Sequence, residues 1–208
     1  MAYRETPRMR ARKEATRQRI LETTHEMIAS GGFRATSVAR VAEASGVATG
    51  SVYRYFNSKG DLFAEVFQRA TEVEVNRVAE ALDSTAPADQ ALKAALEVFA
   101  RRAIRAPTMA WALIAEPVDP LVEEARLRYR QAYAELFEQT LVQGMREGRF
   151  HPEQNPKLSS AATVGAIAEA LIGPLSPATE GLKESQAEQL IHDIVRFCLQ
   201  SVRAPGGQ

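Results

Sequence analysis

Two acidic- or amide-proline pairs, Asp119-Pro120 and Asn155-Pro156, constrain how this chain can be organised. A side-chain acceptor followed by proline is a helix start: the acceptor takes a free N–H, and proline has none to leave unsatisfied. The first pair opens a run of helical period to about Arg146, with Gly148 just past it. The second opens one that ends at Gly173-Pro174. Similar punctuation divides the rest. Ile20, Leu21, Thr24, Met27 and Ile28 recur on one helical face, and Gly31-Gly32 ends that helix. A second helix is predicted near Ser37 with Thr36 as N-cap, and a third after the Ser45-Gly46-Val47 turn, ending near Phe56. Ser58 and Asp61 read as a capping box for a long helix to about Leu82. Helices at 88–105, 108–116 and 183–202 complete the set, and Ala204 to Gln208 read as a disordered tail. No segment alternates like a strand and none repeats. The fold class is all-α.

Charge divides the chain. Its 26 Lys/Arg and 26 Asp/Glu cancel, yet residues 1–59 carry 11 basic and 5 acidic side chains, a balance of +6. A basic head on an acidic body implies an anionic partner at the head, a duplex or a charged membrane surface. No run of 18 apolar residues exists, and the N-terminal charges have no apolar stretch behind them. Neither a transmembrane span nor a secretory leader is expected. The single cysteine, Cys198, excludes a disulfide within the chain and reads as a small buried hydrophobe in a cytoplasmic protein.

Residues Ser37 to Phe56 carry the most specific pattern. Val38, Val41 and Ala42 form the inner face of one helix, Gly46 makes a tight turn, and Val47 plugs the angle. Val52 and Phe56, four apart, form the inner face of the next helix. This is a helix-turn-helix, which implies binding to double-stranded DNA. Thr49, Gly50, Ser51, Tyr53 and Tyr55 are left outward or at the N-terminal end, where a recognition helix meets base edges. Hydroxyls and N–H groups there suit phosphate oxygens.

From Gly32-Phe33 through Thr36-Ser37-Val38, Val41-Ala42, Ala44-Ser45-Gly46-Val47, Gly50-Ser51-Val52-Tyr53, Tyr55-Phe56, Ser58-Lys59 and Asp61-Leu62, the sequence resembles the TetR family of transcriptional regulators. The resemblance implies that Thr36 and Ser37 touch phosphate and that Arg40 reaches backbone or base. It sets Thr49, Gly50 and Ser51 in the major groove, Tyr53 and Tyr55 on phosphates, and Lys59 on the flanking backbone. Ala48 stands where the family often has serine and Thr49 where lysine is common, so base preference is this chain's own. Arg54 replaces some of the missing charge. The implied organisation is a flexible basic arm at 1–11, a helix-turn-helix DNA-binding domain at 12–58, and a helical effector-binding and dimerisation domain at 59–203. The arm, with Arg4, Arg8, Arg10, Arg12 and Lys13, either adds DNA contacts or is a solvated tail.

In the body, Phe99, Met109, Trp111, Tyr129, Tyr133 and Phe137 are expected to line an apolar effector pocket, with Arg102 and Glu116 as its polar groups. The effector expected is lipophilic or acyl-CoA-like. Small residues Ala162, Gly165 and Ala166, with Glu169, mark one helix for close approach. Ile191, Ile194, Val195 and Cys198 mark the last helix. The resemblance makes these a two-fold homodimer interface suited to a palindromic operator; internal core is the alternative. Repression is the mode that the resemblance implies.

Other classes find little footing. His25, His151 and His192 are far apart, and no HExxH, GxSxG, Walker or dinucleotide motif occurs. No catalysis, cofactor, metal or membrane partner is expected. The competing reading keeps the DNA-binding head but makes the chain an architectural or division-control protein without an effector, whose body would be filled.

Overall fold

The computed structural model describes residues 6–204. Nine helices account for most of them: α1 (Pro7–Gly31), α2 (Val38–Ala44), α3 (Thr49–Val52), α4 (Lys59–Leu82), α5 (Ala88–Arg105), α6 (Pro107–Ile114), α7 (Pro120–Arg146), α8 (Pro156–Leu175) and α9 (Glu184–Val202). An isolated antiparallel bridge between Phe150 and Arg203 ties the α7–α8 loop to the end of α9.

Local chemistry explains most boundaries. Ser58 Oγ accepts from the Asp61 N–H at 2.9 Å, starting α4. Asp119 accepts from the Leu121 N–H at 3.0 Å and Asn155 from the Leu158 N–H at 3.1 Å. Gly32 (φ 76°) ends α1 and Gly46 (φ 67°) turns between α2 and α3, both in the left-handed region that a Cβ disfavours.

Five boundaries differ from expectation. Residues 8–11 of the expected flexible arm are helical, because Thr6 caps α1 by accepting from the Met9 N–H and Pro7 supplies the first helical residue. Residues 1–5 of the arm and 205–208 of the tail lie outside the described residues. The N-cap of α2 is Ser37, not Thr36. α3 is one turn long; residues 53–56 continue as tight turns, with the Arg54 N–H on the Ser51 carbonyl and the Phe56 N–H on the Val52 carbonyl. α6 stops at Ile114, two residues short of Glu116. α8 runs through Pro174 and ends one residue later at Leu175, since proline disrupts the helix it sits in.

Two buried clusters form the interior. The head cluster joins Ile20, Ile28, Phe33, Val41, Val52 and Phe56 to Leu62, Phe63, Val66 and Phe67 of α4, and takes in Ala112, Val122 and Ala125 from the body. The body cluster gathers Val78, Leu92, Leu96, Phe137, Leu141, Phe150, Ile167 and Leu171 with the inner face of α9. The two clusters meet along α4, whose first turns supply Leu62, Phe63, Val66 and Phe67 to one and whose later residue Val78 belongs to the other. α8 has the length and mean hydropathy, 1.4, of a membrane span. Of its most apolar window 39% is buried, with Val164, Ile167, Leu171 and Leu175 in the body cluster.

Candidate DNA-reading head and effector cavity

In the head, the short connection after Gly32 decides which hydroxyls remain available. Thr36 is 2% exposed, and its hydroxyl donates to the Gly32 carbonyl at 2.8 Å. It is therefore a structural tie, and a phosphate role for Thr36 is not supported. Ser37 is half-buried and accepts from the Arg40 N–H at 3.3 Å as the cap of α2. Arg40 is exposed, and its Nη1 donates to the Ala35 carbonyl at 2.9 Å. Ala48 is the N-cap of α3 and makes no side-chain hydrogen bond, so the missing serine leaves that start without a hydroxyl cap. Ala48, Thr49 and Gly50 are exposed and Ser51 is half-buried. A Cβ built on Gly50 meets nothing within 4 Å, so this surface is open to a large partner. Tyr53 and Arg54 are exposed, while Tyr55 is half-buried against the head cluster. Lys59 is exposed with its ammonium 4.9 Å from the Phe63 ring centre. α2, α3 and the start of α4 thus present hydroxyls, amides and three cations along one stretch of chain, the chemistry that positions a phosphate backbone.

The body contains a cavity of about 90 Å³ between α4, α5, α6, α7 and α8. Five expected residues line it: Phe99, Arg102, Met109, Tyr129 and Tyr133. Three do not. Phe137 lies one turn past Tyr133 and is buried in the body cluster. Trp111 sits off the lining stripe of Ala110, Leu113 and Ile114 and packs on that same cluster. Glu116 turns away toward the head: its carboxylate accepts from the Phe33 N–H at 2.8 Å and the Arg34 N–H at 2.9 Å.

The walls include residues that sequence reasoning missed. Phe67, Thr71, Glu74 and Val78 come from α4, and Arg126 and Arg130 come from α7. Their spacing was a usable signal, since Phe67, Thr71, Glu74 and Val78 recur at i, i+4, i+7 and i+11 and Arg126, Tyr129, Arg130 and Tyr133 at i, i+3, i+4 and i+7. Glu74 pairs with Arg102, whose Nη2 donates to Glu74 Oε1 at 2.8 Å. Burial pushes the phenols of Tyr133 and Tyr129 above the usual tyrosine range, so both face the cavity as neutral hydroxyls. Burial also draws the Arg126 guanidinium below its ordinary value, against the attraction of Glu123. An apolar space with a few fixed charges at its edge suits an elongated ligand with one polar end.

The expected dimer residues divide by helix. Ala162, Gly165 and Glu169 are exposed on α8 and Ala166 is half-buried. Ile191, Ile194, Val195 and Cys198 are buried in the subunit's own core, so the apolar stripe of α9 faces inward rather than toward a partner. The large apolar side chains that these two helices expose are Leu158 (68%) and Phe197 (62%).

Residues 20–66 match the profile of the family described as bacterial regulatory proteins, tetR family. The HTH-type transcriptional repressor KstR2 of Rhodococcus jostii is 28% identical over 155 residues, which cover 71% of this chain and 74% of that protein. The fatty acid metabolism regulator protein of Bacillus subtilis is 24% identical over 157 residues, covering 72% and 78%. The transcriptional regulator FadR from Bacillus subtilis, solved in complex with stearoyl-CoA, shares the fold with a TM-score of 0.74 at 18% identity, over 89% of this chain and 99% of that one. With its helix-turn-helix head joined through one long helix to a helical body, the chain carries the DNA-binding domain of the TetR family of transcriptional regulators.

Proposed function

We propose that this chain is a dimeric repressor that holds a palindromic duplex through α2, α3 and the start of α4, and leaves it when an acyl thioester or similar lipophilic effector enters the body. The cavity between α4 and α8 carries this reading. Its walls are largely apolar, Arg102, Arg126 and Arg130 stand among them, and α6 forms one side of it. The names of relatives point the same way: one is a fatty acid metabolism regulator, and a fold neighbour holds stearoyl-CoA. A body filled throughout would have favoured the architectural protein without an effector; the cavity favours the sensor.

The volume adds a mechanism. About 90 Å³ is well below the ~300 Å³ at the lower end of ligand pockets. An acyl chain must therefore push the helices apart to enter. A wall that moves on binding couples occupancy to the head, and the ligand shifts the population by its preference for the expanded state. In a dimer, two α3 turns must sit about 34–36 Å apart to enter successive major grooves, so a small change in head spacing abolishes simultaneous contact. Work on a duplex is consistent with a cytoplasmic protein.

The experiment is selection of bound sites from randomised duplexes, followed by anisotropy titration of the selected site with stearoyl-CoA or with coenzyme A alone. The expected result is a palindromic site released by stearoyl-CoA only. Failure to enrich any duplex, or a complex indifferent to acyl thioesters of every chain length, overturns the reading.

A further inference from the structure

We propose that Arg126 and Glu116 form a relay that converts a polar group in the cavity into release of the reading head. The proposal rests on the effector reading above and adds the residues that sense and transmit.

Arg126 is 8% exposed and lines the cavity. Its donors hold the end of α6. Nε donates to the Leu113 carbonyl at 3.0 Å, and Nη2 donates to the Ala112 carbonyl at 3.2 Å and the Glu116 carbonyl at 2.7 Å. Nη1 pairs with Glu123, an ion pair that fixes the guanidinium from the other side. The last carbonyls of a helix have no partner within it, so a buried cation there both satisfies them and fixes where the helix ends.

Glu116 is gripped at both ends. Its main-chain carbonyl belongs to Arg126, and its carboxylate belongs to the head through the Phe33 and Arg34 N–H groups. These amides lie in the turn between α1 and α2, directly after Gly32. The approach is close enough that a Cβ at Gly32 would fall 2.8 Å from Glu116 Oε2. One residue therefore joins a cavity-lining guanidinium to the segment that sets α2 against α1.

The ligand chemistry follows. A guanidinium stays charged at any working pH and exchanges acceptors readily. A carbonyl or carboxylate oxygen beside the ligand's apolar chain competes with the α6 carbonyls for Arg126. When Arg126 turns to it, the end of α6 loses its anchor, Glu116 shifts, and two head amides lose their acceptor. The Phe33 amide is buried, and leaving it unpaired is costly, so the turn rearranges. Arg126 and Glu116 are positioning residues in this scheme, and neither touches DNA.

Amide hydrogen exchange at Phe33 and Arg34 in the full-length protein, without any effector, tests the relay. Glu116→Met should speed exchange at both amides about tenfold or more. Arg126→Met touches neither amide and should speed the same two, leaving those of Ile20 and Val41 at the wild-type rate. An unchanged rate at Phe33 and Arg34 in Arg126→Met overturns the proposal. Should that variant unfold globally, Arg126→Lys decides: selective acceleration supports the relay, and none overturns it. Stearoyl-CoA titrated into the protein–DNA complex separates the two readings. Release from wild type, with Glu116→Met already weak on DNA before any effector is added, supports the relay, and wild-type affinity with equal release in the variant overturns it. No release from wild type overturns the effector reading, while the exchange rates still decide the relay.

Discussion

Glu74 of α4 and Arg102 of α5 meet as a two-point ion pair on the cavity wall, with Arg102 Nη2 donating to Glu74 Oε1 at 2.8 Å. The pair is about one-third exposed, with side chains at 38% and 32%, so solvent screens it and its effect on stability is small. Its importance is for charge at the cavity edge, since Glu74 occupies the cation that an anionic effector would use. Glu74→Gln is expected to leave the melting temperature almost unchanged and to tighten binding of stearoyl-CoA by up to about tenfold. Isothermal titration of both proteins checks this. Weaker binding in the variant would show that Arg102 needs its partner for orientation.

Thr36 provides a contrasting test in the head. Its buried hydroxyl donates to the Gly32 carbonyl, so Thr36→Val should cost about 1–3 kcal/mol of stability in urea denaturation. The slope of log affinity for DNA against log salt should not change, because the Thr36 hydroxyl neutralises no phosphate. A flatter slope in Thr36→Val would restore the phosphate role.

Thr36 also shows what the sequence could reveal. Thr36 and Ser37 are adjacent N-cap candidates, and chemistry alone does not rank them. The choice falls to Gly32, whose carbonyl claims the threonine hydroxyl and leaves the cap to Ser37. The helix starts at Pro120 and Pro156 were legible because cap and proline act within a few residues. Cavity membership was only partly legible: Tyr129 and Tyr133 share a helical stripe that any periodicity finds, but Glu116 joins partners more than 80 residues away. A carboxylate near aromatics looks the same in sequence whether it faces a ligand or a remote amide. On α9, the apolar stripe was visible, but its direction depends on packing against α5 and α8.

The first turns of α1 predict a salt effect. Arg8, Arg12 and Lys13 are exposed on a helix that runs continuously into the head core at Ile20. A helix holds these cations in fixed register, with Arg8 and Arg12 four apart on one face. If they lie along a phosphate backbone, changing all three to glutamine flattens the log–log salt slope by about 0.9 for each phosphate no longer neutralised. Anisotropy between 50 and 200 mM salt is the measurement, on the order of the range where such slopes are resolved. An unchanged slope assigns these residues to solvent.

Cys198 supplies the pH dependence. Burial raises its thiol pKa from 9.0 to about 11. The folded state therefore holds the proton more tightly than the unfolded chain. Stability is unaffected below about pH 9 and falls as pH rises toward 11, by at most about 2–3 kcal/mol. The comparison is with Cys198→Ala, whose decline over that window should be shallower by this amount. At neutral pH the thiol should resist iodoacetamide until the protein unfolds. Rapid labelling of the native protein would contradict its burial.

The exposed faces of α8 and α9 are where two copies of the chain are expected to associate. On α8, a Cβ added at Gly165 meets nothing within 4 Å, so an isolated subunit accommodates a larger side chain there. On α9, Phe197 is 62% exposed on the side opposite the buried Cys198 stripe. Exposed phenylalanine beside a helix of small residues fits a two-fold contact in which each substitution acts twice. The subunit core does not depend on either residue, so helicity and melting of the separated subunit should be retained in Gly165→Leu and Phe197→Glu. Dimerisation should weaken about tenfold or more in the first and be abolished at micromolar concentration in the second, as two buried phenylalanines contribute ~3 kcal/mol or more together. Affinity for a full palindrome should then fall to that for a half-site, because the two heads no longer bind as one unit. Sedimentation and anisotropy on the same samples check both effects, and variants that remain dimeric would place the interface on another face.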